Sequence, residues 1–531
     1  MTIMNFKTAV LCTFLYSFSL AQTTVSGYVF EDSNRNSVKD RREKGISNVA
    51  VSNGTEVTLT DKNGRYSLPL YGDHTIFVIK PAGYRTKTDA NNLPQFYYHH
   101  KANGSPADFK YKGTAPTGTL PDEVNFPLNK SAEPKDFQIL VFGDPQPYTL
   151  KEIDYFKRGI INEVKNNRKD AIFGISLGDL VGDDLSLHPH YIAAIREIGL
   201  PWYNVMGNHD MNYDATEDRL SDETFEEHFG PSHYAFNYGN VHFMILDNIL
   251  YPDPRGRKGY WGGFRADQLK FIENNLKLVP KEKLIVIAFH IQMMPERTGD
   301  DHFRMADRAR LFELLKPFEN ILMMSAHTHK QSQIYYSKGE GWEGATDLHE
   351  YNAGTTSGDW YSGTADATGV PASVMRDGTY RGYSFIDFKD NKYSIQYKAA
   401  GYPDEFQIRL HVPKTIASRR NSARIVANFF MGGKDDLLEY RVDTGEWKSM
   451  TYSESMDPSF LRSVLAWDAE SDLLQGRRPS NPENSKHLWT AAFPGGLTLG
   501  THRLQVRATD RYGKMHTAEQ EFEVQEPRPI P

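Results

Sequence analysis

Pro201-Trp-Tyr-Asn-Val-Met-Gly-Asn-His-Asp210 passes without a spacer from a strand-forming run, Trp202 to Met206, into a polar turn of potential metal ligands. The same arrangement recurs on both sides of it. Phe137-Gln-Ile-Leu-Val-Phe142 runs into Gly143-Asp144-Pro145-Gln146, and Ala171-Ile-Phe-Gly-Ile-Ser-Leu177 runs into Gly178-Asp179-Leu-Val-Gly-Asp183. Leu284-Ile-Val-Ile-Ala-Phe289 ends in His290, and Ile321-Leu-Met-Met324 continues through Ser325-Ala326 into His327-Thr328-His329. In open α/β sheets, ligands bind beyond the carboxyl ends of the strands. A glycine just before a polar residue lets the chain turn sharply and brings backbone close to a site. One Gly-Asp is an ordinary turn, and one strand-end histidine is ordinarily a satisfied side chain. His-x-His says more, because alternate residues of an extended segment face the same way. Five strand ends of this kind, in order, point to a metal site at one edge of a sheet.

Between these strands lie stretches of helical periodicity, Lys151–Asn167, Leu187–Ile198, Ala266–Leu278 and Ala306–Phe318, and a further strand, Val241–Leu246. The alternation predicts an α/β layered domain over 135–402. The flanks differ. Over 22–131, short runs such as Thr24–Phe30, Val49–Ser52, Val57–Thr60, Arg65–Leu70 and His74–Ile79 are separated by Asn53-Gly54 and Asp61-Lys-Asn-Gly64 turns, which predicts a small β-sandwich. From Pro81 to Leu120 the pattern fades into an irregular connection, and Phe126-Pro-Leu128 reads as a last strand. Over 403–531 the pattern returns to β, clearest in His502–Thr509 and Glu519–Val524, and predicts a second β-sandwich.

With 531 residues, 39% apolar and 24% charged, the chain has globular composition and room for about three domains. The net charge is −7 and no Lys/Arg block stands out, which disfavours nucleic acid and anionic membrane surfaces as partners. Lys7, an apolar run and Ser19-Leu20-Ala21 over 1–21 read as a signal peptide, so the expectation is a secreted or periplasmic protein. The one cysteine, Cys12, lies inside that segment. No later stretch is long and apolar enough to span a bilayer.

The ordered set Asp-x-Gln, Gly-Asp-x-x-x-Asp, Gly-Asn-His-Asp, His and Ala-His-x-His resembles the calcineurin-like metallophosphoesterase family over Phe137 to Lys330. The resemblance implies a β-sandwich of mixed sheets flanked by helices, and hydrolysis of phosphomono- or phosphodiesters by a hydroxide that bridges two metals. It assigns Asp144, Gln146, Asp179 and His329 to one ion and Asp179, Asn208, His290 and His327 to the other. Oxygen and imidazole donors suit Mn, Fe or Zn. It further makes His209 the general acid for the leaving group, with Asp210 orienting it. Gln146 departs from the commonest histidine of the first motif and Ala326 from the usual glycine; neither removes an essential group. The β-module, phosphoesterase, β-module layout resembles secreted bacterial members of the family.

Two further stretches carry expectations. Asp32, Asn34, Asn36, Val38 (through its carbonyl), Asp40 and Glu43 follow EF-hand spacing, with Ser37 where glycine is usual. Together with Gly27–Phe30 and Gly45-Ile46 they resemble the calcium-binding B-type repeats of bacterial surface adhesins, which implies a structural Ca²⁺. The alternative is a solvated polar turn. Trp360 and Tyr361, in a small-residue loop after the last ligand, read equally as substrate contacts or as a packed turn. Three functions compete: a phosphoesterase acting on small or surface-attached esters, a surface or adhesion protein whose central domain has ceased to be catalytic, and a nuclease using the same metals, which the acidic balance and lack of basic patches disfavour. The complete ligand set favours the first.

Overall fold

The computed structural model describes residues 23–527. The expected signal segment and Cys12 lie outside them. Among the described residues, no helix is long and apolar enough to cross a membrane.

The centre is two sheets face to face. One has five strands, in spatial order Trp202–Asn204, Ala171–Ser176, Asp136–Phe142, Gly382–Lys389 and Lys392–Ala399. The other has six: Tyr234–Tyr238, Val241–Ile245, Leu284–Ala288, Asn320–Ser325, Leu348–Asn352 and Ser332–Tyr336. Strands buried on both faces read as continuous apolar runs, and Leu284–Ala288 is buried at every residue. An aromatic layer fills the space between the sheets. Phe173 packs against Phe236 at 5.7 Å and Phe243 at 5.5 Å, and Phe243 against Phe388 at 5.7 Å. Helices cover the outside. Phe156 of Leu150–Phe156 meets Phe142 at 6.2 Å and Tyr191 of His188–Arg196 at 6.1 Å. The expected helix 151–167 continues beyond Phe156 as one π-helical segment, Lys157–Ile161, before Asn162–Asn166.

Three strands of the first sheet and four of the second run parallel, so their carboxyl ends share an edge. The pairing continues past the strands into the polar turns. Leu177 N donates to Phe142 O and Val205 N to Ser176 O in one sheet; Phe289 N donates to Met324 O and Ala326 N to His290 O in the other. A bridge between Gly143 and Thr355 joins the two sheets there.

Each flank is a pair of sheets. Four strands around Thr23–Glu31 face four around His74–Val78 in the N-terminal module. The C-terminal module pairs four strands around Arg424–Phe429 with five around Gly500–Thr509. Two details differ from expectation. The stretch 81–120 contains a strand, Tyr97–His100, paired antiparallel with His74–Phe77. The C-terminal module contains a helix, Pro458–Asp468, capped by Asp457, whose side chain accepts from Ser459 N and Phe460 N. Both modules dock on the centre. Lys101 Nζ lies 2.5 Å from Glu223 and 2.8 Å from Glu226, all buried. On the other side, His487 bridges Asn428 (2.7 Å) and Asp377 (3.0 Å).

Candidate metal centre

The turns after the strands are tight because their neighbours leave no room. A Cβ on Gly207 would collide with the amide and carboxylate of Asp179, and Gly178, at φ +94°, lies against the His290 ring. Asp144, Gln146, Asp179, His327 and His329 all have positive φ, at 29°, 38°, 48°, 71° and 51°. Non-glycine residues held there cost about 1–3 kcal/mol each and gather at functional sites. Here they turn five side chains toward one another.

The donors converge. His290 Nε2 stands 3.1 Å from Asn208 Oδ1, 3.2 Å from Asp179 Oδ2 and 3.2 Å from His327 Nδ1. Atoms bound to a common ion at about 2 Å stand roughly 3 Å apart, so this spacing fits one divalent cation. Alongside, His329 Nε2 lies 2.8 Å from Gln146 Oε1 and 3.8 Å from Asp144 Oδ2, and Gln146 Nε2 lies 3.3 Å from Asp179 Oδ2. Asp179 therefore touches both groups. Among the described residues, Asp144 and Asp179 are buried without a Lys or Arg partner, and metal ions would supply the missing positive charge. The seven expected ligands are thus together, and their chemistry fits two ions.

Outer contacts aim the imidazoles. His290 Nδ1 faces the Leu177 carbonyl at 2.8 Å and His329 Nδ1 the Gly358 carbonyl at 2.7 Å, leaving each Nε2 for the site. Burial pushes His327 and His329 down to about 3, the direction that suits a ligating imidazole, whereas at His290 burial is outweighed by the Asp179 and Asp144 carboxylates, which raise it to about 9. Burial pushes the Asp144 carboxyl up.

His209 sits at the rim with its backbone amide on Asp179 Oδ1 at 2.9 Å and its Nε2 4.0 Å from Asp179 Oδ2. Burial pulls its pKa down, but the Asp179 carboxylate and the Asp183 bond outweigh that and raise it to about 9. The expected partner is corrected here. Asp210 does not touch the His209 side chain. It is buried and accepts from the amides of Leu180, Val181 and Gly207, with His188 Nε2 at 3.3 Å. In the 3-10 turn Asn208–Asp210, successive side chains diverge, so the two point apart. The carboxylate at His209 Nδ1 is Asp183, at 2.7 Å. Its signal was its place in Gly-Asp-x-x-x-Asp.

Trp360 and Tyr361 separate for a similar reason. Trp360 stacks on His329 at 3.9 Å, at the site. Tyr361 is buried and its hydroxyl donates to Pro145 O at 2.6 Å, so it braces the first ligand loop and offers nothing to a substrate. Tyr148, edge-on to His209 at 5.9 Å, Tyr213, whose hydroxyl donates to Asn208 O at 2.7 Å, and Tyr260, 6.2 Å from His327, complete an aromatic rim that the sequence did not reveal.

In the N-terminal module, Asp32, Asn34, Asn36, Asp40 and Glu43 lie on one loop. Asp40 Oδ2 accepts from Asn34 (2.6 Å) and Asn36 (3.0 Å), and Glu43 from Ser33 N (2.8 Å) and Asp40 N (3.1 Å). Ser37 takes φ +64°, the conformation for which glycine is usual, and Val38 is exposed on the same loop.

Comparisons with known proteins supply a family. Residues 32–115 match the N terminal of calcineurin-like phosphoesterase, 137–331 match calcineurin-like phosphoesterase and 350–516 match its C terminal. A serine-aspartate repeat-containing protein F of Staphylococcus epidermidis is 38% identical over 109 residues, 19% of this chain and 6% of that protein's length. Among solved structures, a dimetal phosphatase from Danio rerio is 13% identical, covering 50% of this chain and 96% of its own, with a TM-score of 0.33. A purple acid phosphatase from yellow lupin seeds is 13% identical, covering 67% and 69%, with a TM-score of 0.36. The three family matches take in most of the chain, and the protein belongs to the calcineurin-like phosphoesterase family.

Proposed function

We propose that the protein is an exported phosphoesterase that hydrolyses small or surface-attached phosphate esters. Asp144, Gln146, Asp179 and His329 would hold one divalent ion and Asp179, Asn208, His290 and His327 the other, with Mn, Fe or Zn as the ions. The observation that carries this reading is the convergence of Asn208, Asp179 and His327 donors within 3.1–3.2 Å of His290 Nε2. Two such ions, when bound, would contribute Lewis acidity toward the phosphoryl group and make hydroxide available near neutral pH. His209, fixed through Nδ1 on Asp183, turns Nε2 inward and gives a proton to the oxygen that leaves phosphorus. One P–O bond breaks, one forms to the oxygen of water, and that water returns a proton to His209. Asp179 holds the His209 backbone amide, and Asn208 Oδ1 meets His290 Nε2 in the donor cluster. An adhesion protein with an idle central domain would have had no need to keep this donor set and His209 in such geometry.

We also infer a structural Ca²⁺ on the Asp32–Glu43 loop. Five oxygen-bearing side chains share that loop, and Ser37 adopts the turn that calcium loops of this spacing need.

The test is hydrolysis of p-nitrophenyl phosphate and bis-p-nitrophenyl phosphate by protein stripped of metal and reloaded with Mn, Fe or Zn. Turnover should need metal, fall about 10²–10⁴-fold in His209→Ala with ions still bound, and vanish in Asp179→Asn together with metal. Failure to bind two ions would sink the reading. In the same preparations, Ca²⁺ should raise the melting midpoint of the wild type and leave that of Glu43→Gln unmoved; equal midpoints would dispose of the calcium site.

A further inference from the structure

The C-terminal module reaches back over the metal centre. After the helix Pro458–Asp468, the chain crosses the central domain and is pinned at two places. Gly363 N donates to Arg477 O at 2.9 Å and Ser480 N to Asp359 Oδ2 at 2.7 Å. Further on, Glu483 receives Lys330 Nζ at 2.6 Å and Arg376 Nη1 at 2.8 Å. Gly476, at φ +112°, makes the bend that presents Arg477.

Three of the cations along this arm are neutralised. Lys330 pairs with Glu296 and Glu483, Arg376 with Glu483, and Arg478 bidentately with Asp468 at 2.6 Å. Arg477 is different. Among the described residues its guanidinium makes neither a hydrogen bond nor an ion pair, and it is exposed. Its contacts are two rings, Trp360 at 5.5 Å and Tyr148 at 5.9 Å. Each ring abuts the centre: Trp360 stacks on His329, and Tyr148 meets His209 edge-on. The nearby Glu152 carboxylate is taken by the Tyr148 amide at 2.6 Å.

A guanidinium carries five donors in a fork that suits phosphate oxygens, and aromatic faces fix its plane without using those donors. We propose that Arg477, delivered by the C-terminal module, is a substrate-binding residue that takes an anionic oxygen of the phosphate ester and directs the enzyme toward dianionic monoesters. This rests on the phosphoesterase reading and narrows it. A monoester offers one more negative charge than a diester, and the arm leaves one cation uncommitted to meet it.

The experiment uses the full metal-loaded protein and two readouts. The first is calorimetric binding of phenylphosphonate, a dianion that cannot be hydrolysed. The second is KM for p-nitrophenyl phosphate and for bis-p-nitrophenyl phosphate. Arg477→Met should weaken phenylphosphonate binding about tenfold or more, raise KM for the monoester similarly, and change the diester less than threefold. Arg477→Lys should recover part of the loss. Arg478→Met, which removes a neutralised neighbour, should stay within twofold of wild type. Unchanged phenylphosphonate binding in Arg477→Met, absence of binding by the wild type, or equal losses for both esters would each overturn the proposal. Binding that depends on Arg477 without turnover of either ester would uphold it and defeat the phosphoesterase reading alone.

Discussion

At the scale of single residues, the carboxylates of the Gly-Asn-His-Asp and Gly-Asp-x-x-x-Asp turns divide the work in an order opposite to their sequence neighbourhood. Asp183, distant in sequence, holds the His209 ring, whereas Asp210, adjacent to it, holds backbone. The consequences of losing each therefore differ. Asp183→Asn should lower kcat about 10–100-fold with metal content and melting midpoint near wild type, since it removes an outer partner of an acting imidazole. Asp210→Asn should lower the midpoint sharply, because one carboxylate serves three amides and its amide replacement cannot accept from all of them. Steady-state kinetics beside thermal melts separates the two; reversed phenotypes would refute the assignment. The sequence picked out all seven residues that converge at the site, since each is a chemically conspicuous residue at the end of an apolar run. It could not tell Asp183 from Asp210, because adjacency in the chain says nothing about the direction of a side chain in a 3-10 turn.

At the scale of elements, the buried strand Leu348–Asn352 carries a carboxylic acid through the core of the second sheet. Glu350 accepts from Ser325 Oγ and Tyr336 OH at 2.5 Å each, and burial pushes its pKa from 4.5 up to about 7. An acid whose pKa is raised on folding keeps its proton to higher pH in the native protein than in the unfolded chain. The stability it contributes is full below about 4.5 and is lost as pH rises through about 7. Relative to Glu350→Gln, which stays neutral throughout, the wild type should lose up to about 3 kcal/mol between those limits. Urea unfolding at a series of pH values reads this directly, and parallel profiles for the two proteins would contradict it. Elements of the central domain were legible because they are long and regular. The strand Tyr97–His100 was hidden in a stretch rich in Gly, Pro and Asn, and its order comes from pairing with His74–Phe77 rather than from its own pattern. The helix Pro458–Asp468 had a local signal, an Asp cap followed by proline, that the surrounding β pattern masked.

At the scale of the whole molecule, the modules are built into the central domain and not merely tethered to it. Lys101 comes from the N-terminal flank, Glu223 and Glu226 from the central helix Glu223–Phe229, and Phe77 and Phe96 pack on Phe271 and Tyr234 beside them. Breaking a buried ion triad strands the remaining charges, so Lys101→Met should cost about 3–5 kcal/mol. The triple change Lys101→Met, Glu223→Gln, Glu226→Gln should recover most of that. Denaturant midpoints would show it, and a single mutant as stable as wild type would mean that the flank is held by its apolar contacts alone. None of this docking was readable from sequence, because the partners are more than a hundred residues apart and each is an unremarkable surface-type residue when taken alone.

The seven proposed ligands come from both sheets of the sandwich: Asp144, Gln146, Asp179 and Asn208 from one, His290, His327 and His329 from the other. No half of the domain can assemble either coordination shell. On the proposed ligand assignment, metal occupancy would proofread the fold: a chain with one sheet misregistered, or released before its last histidines are placed, would stay empty and inert, and activity would arise only once the two sheets close.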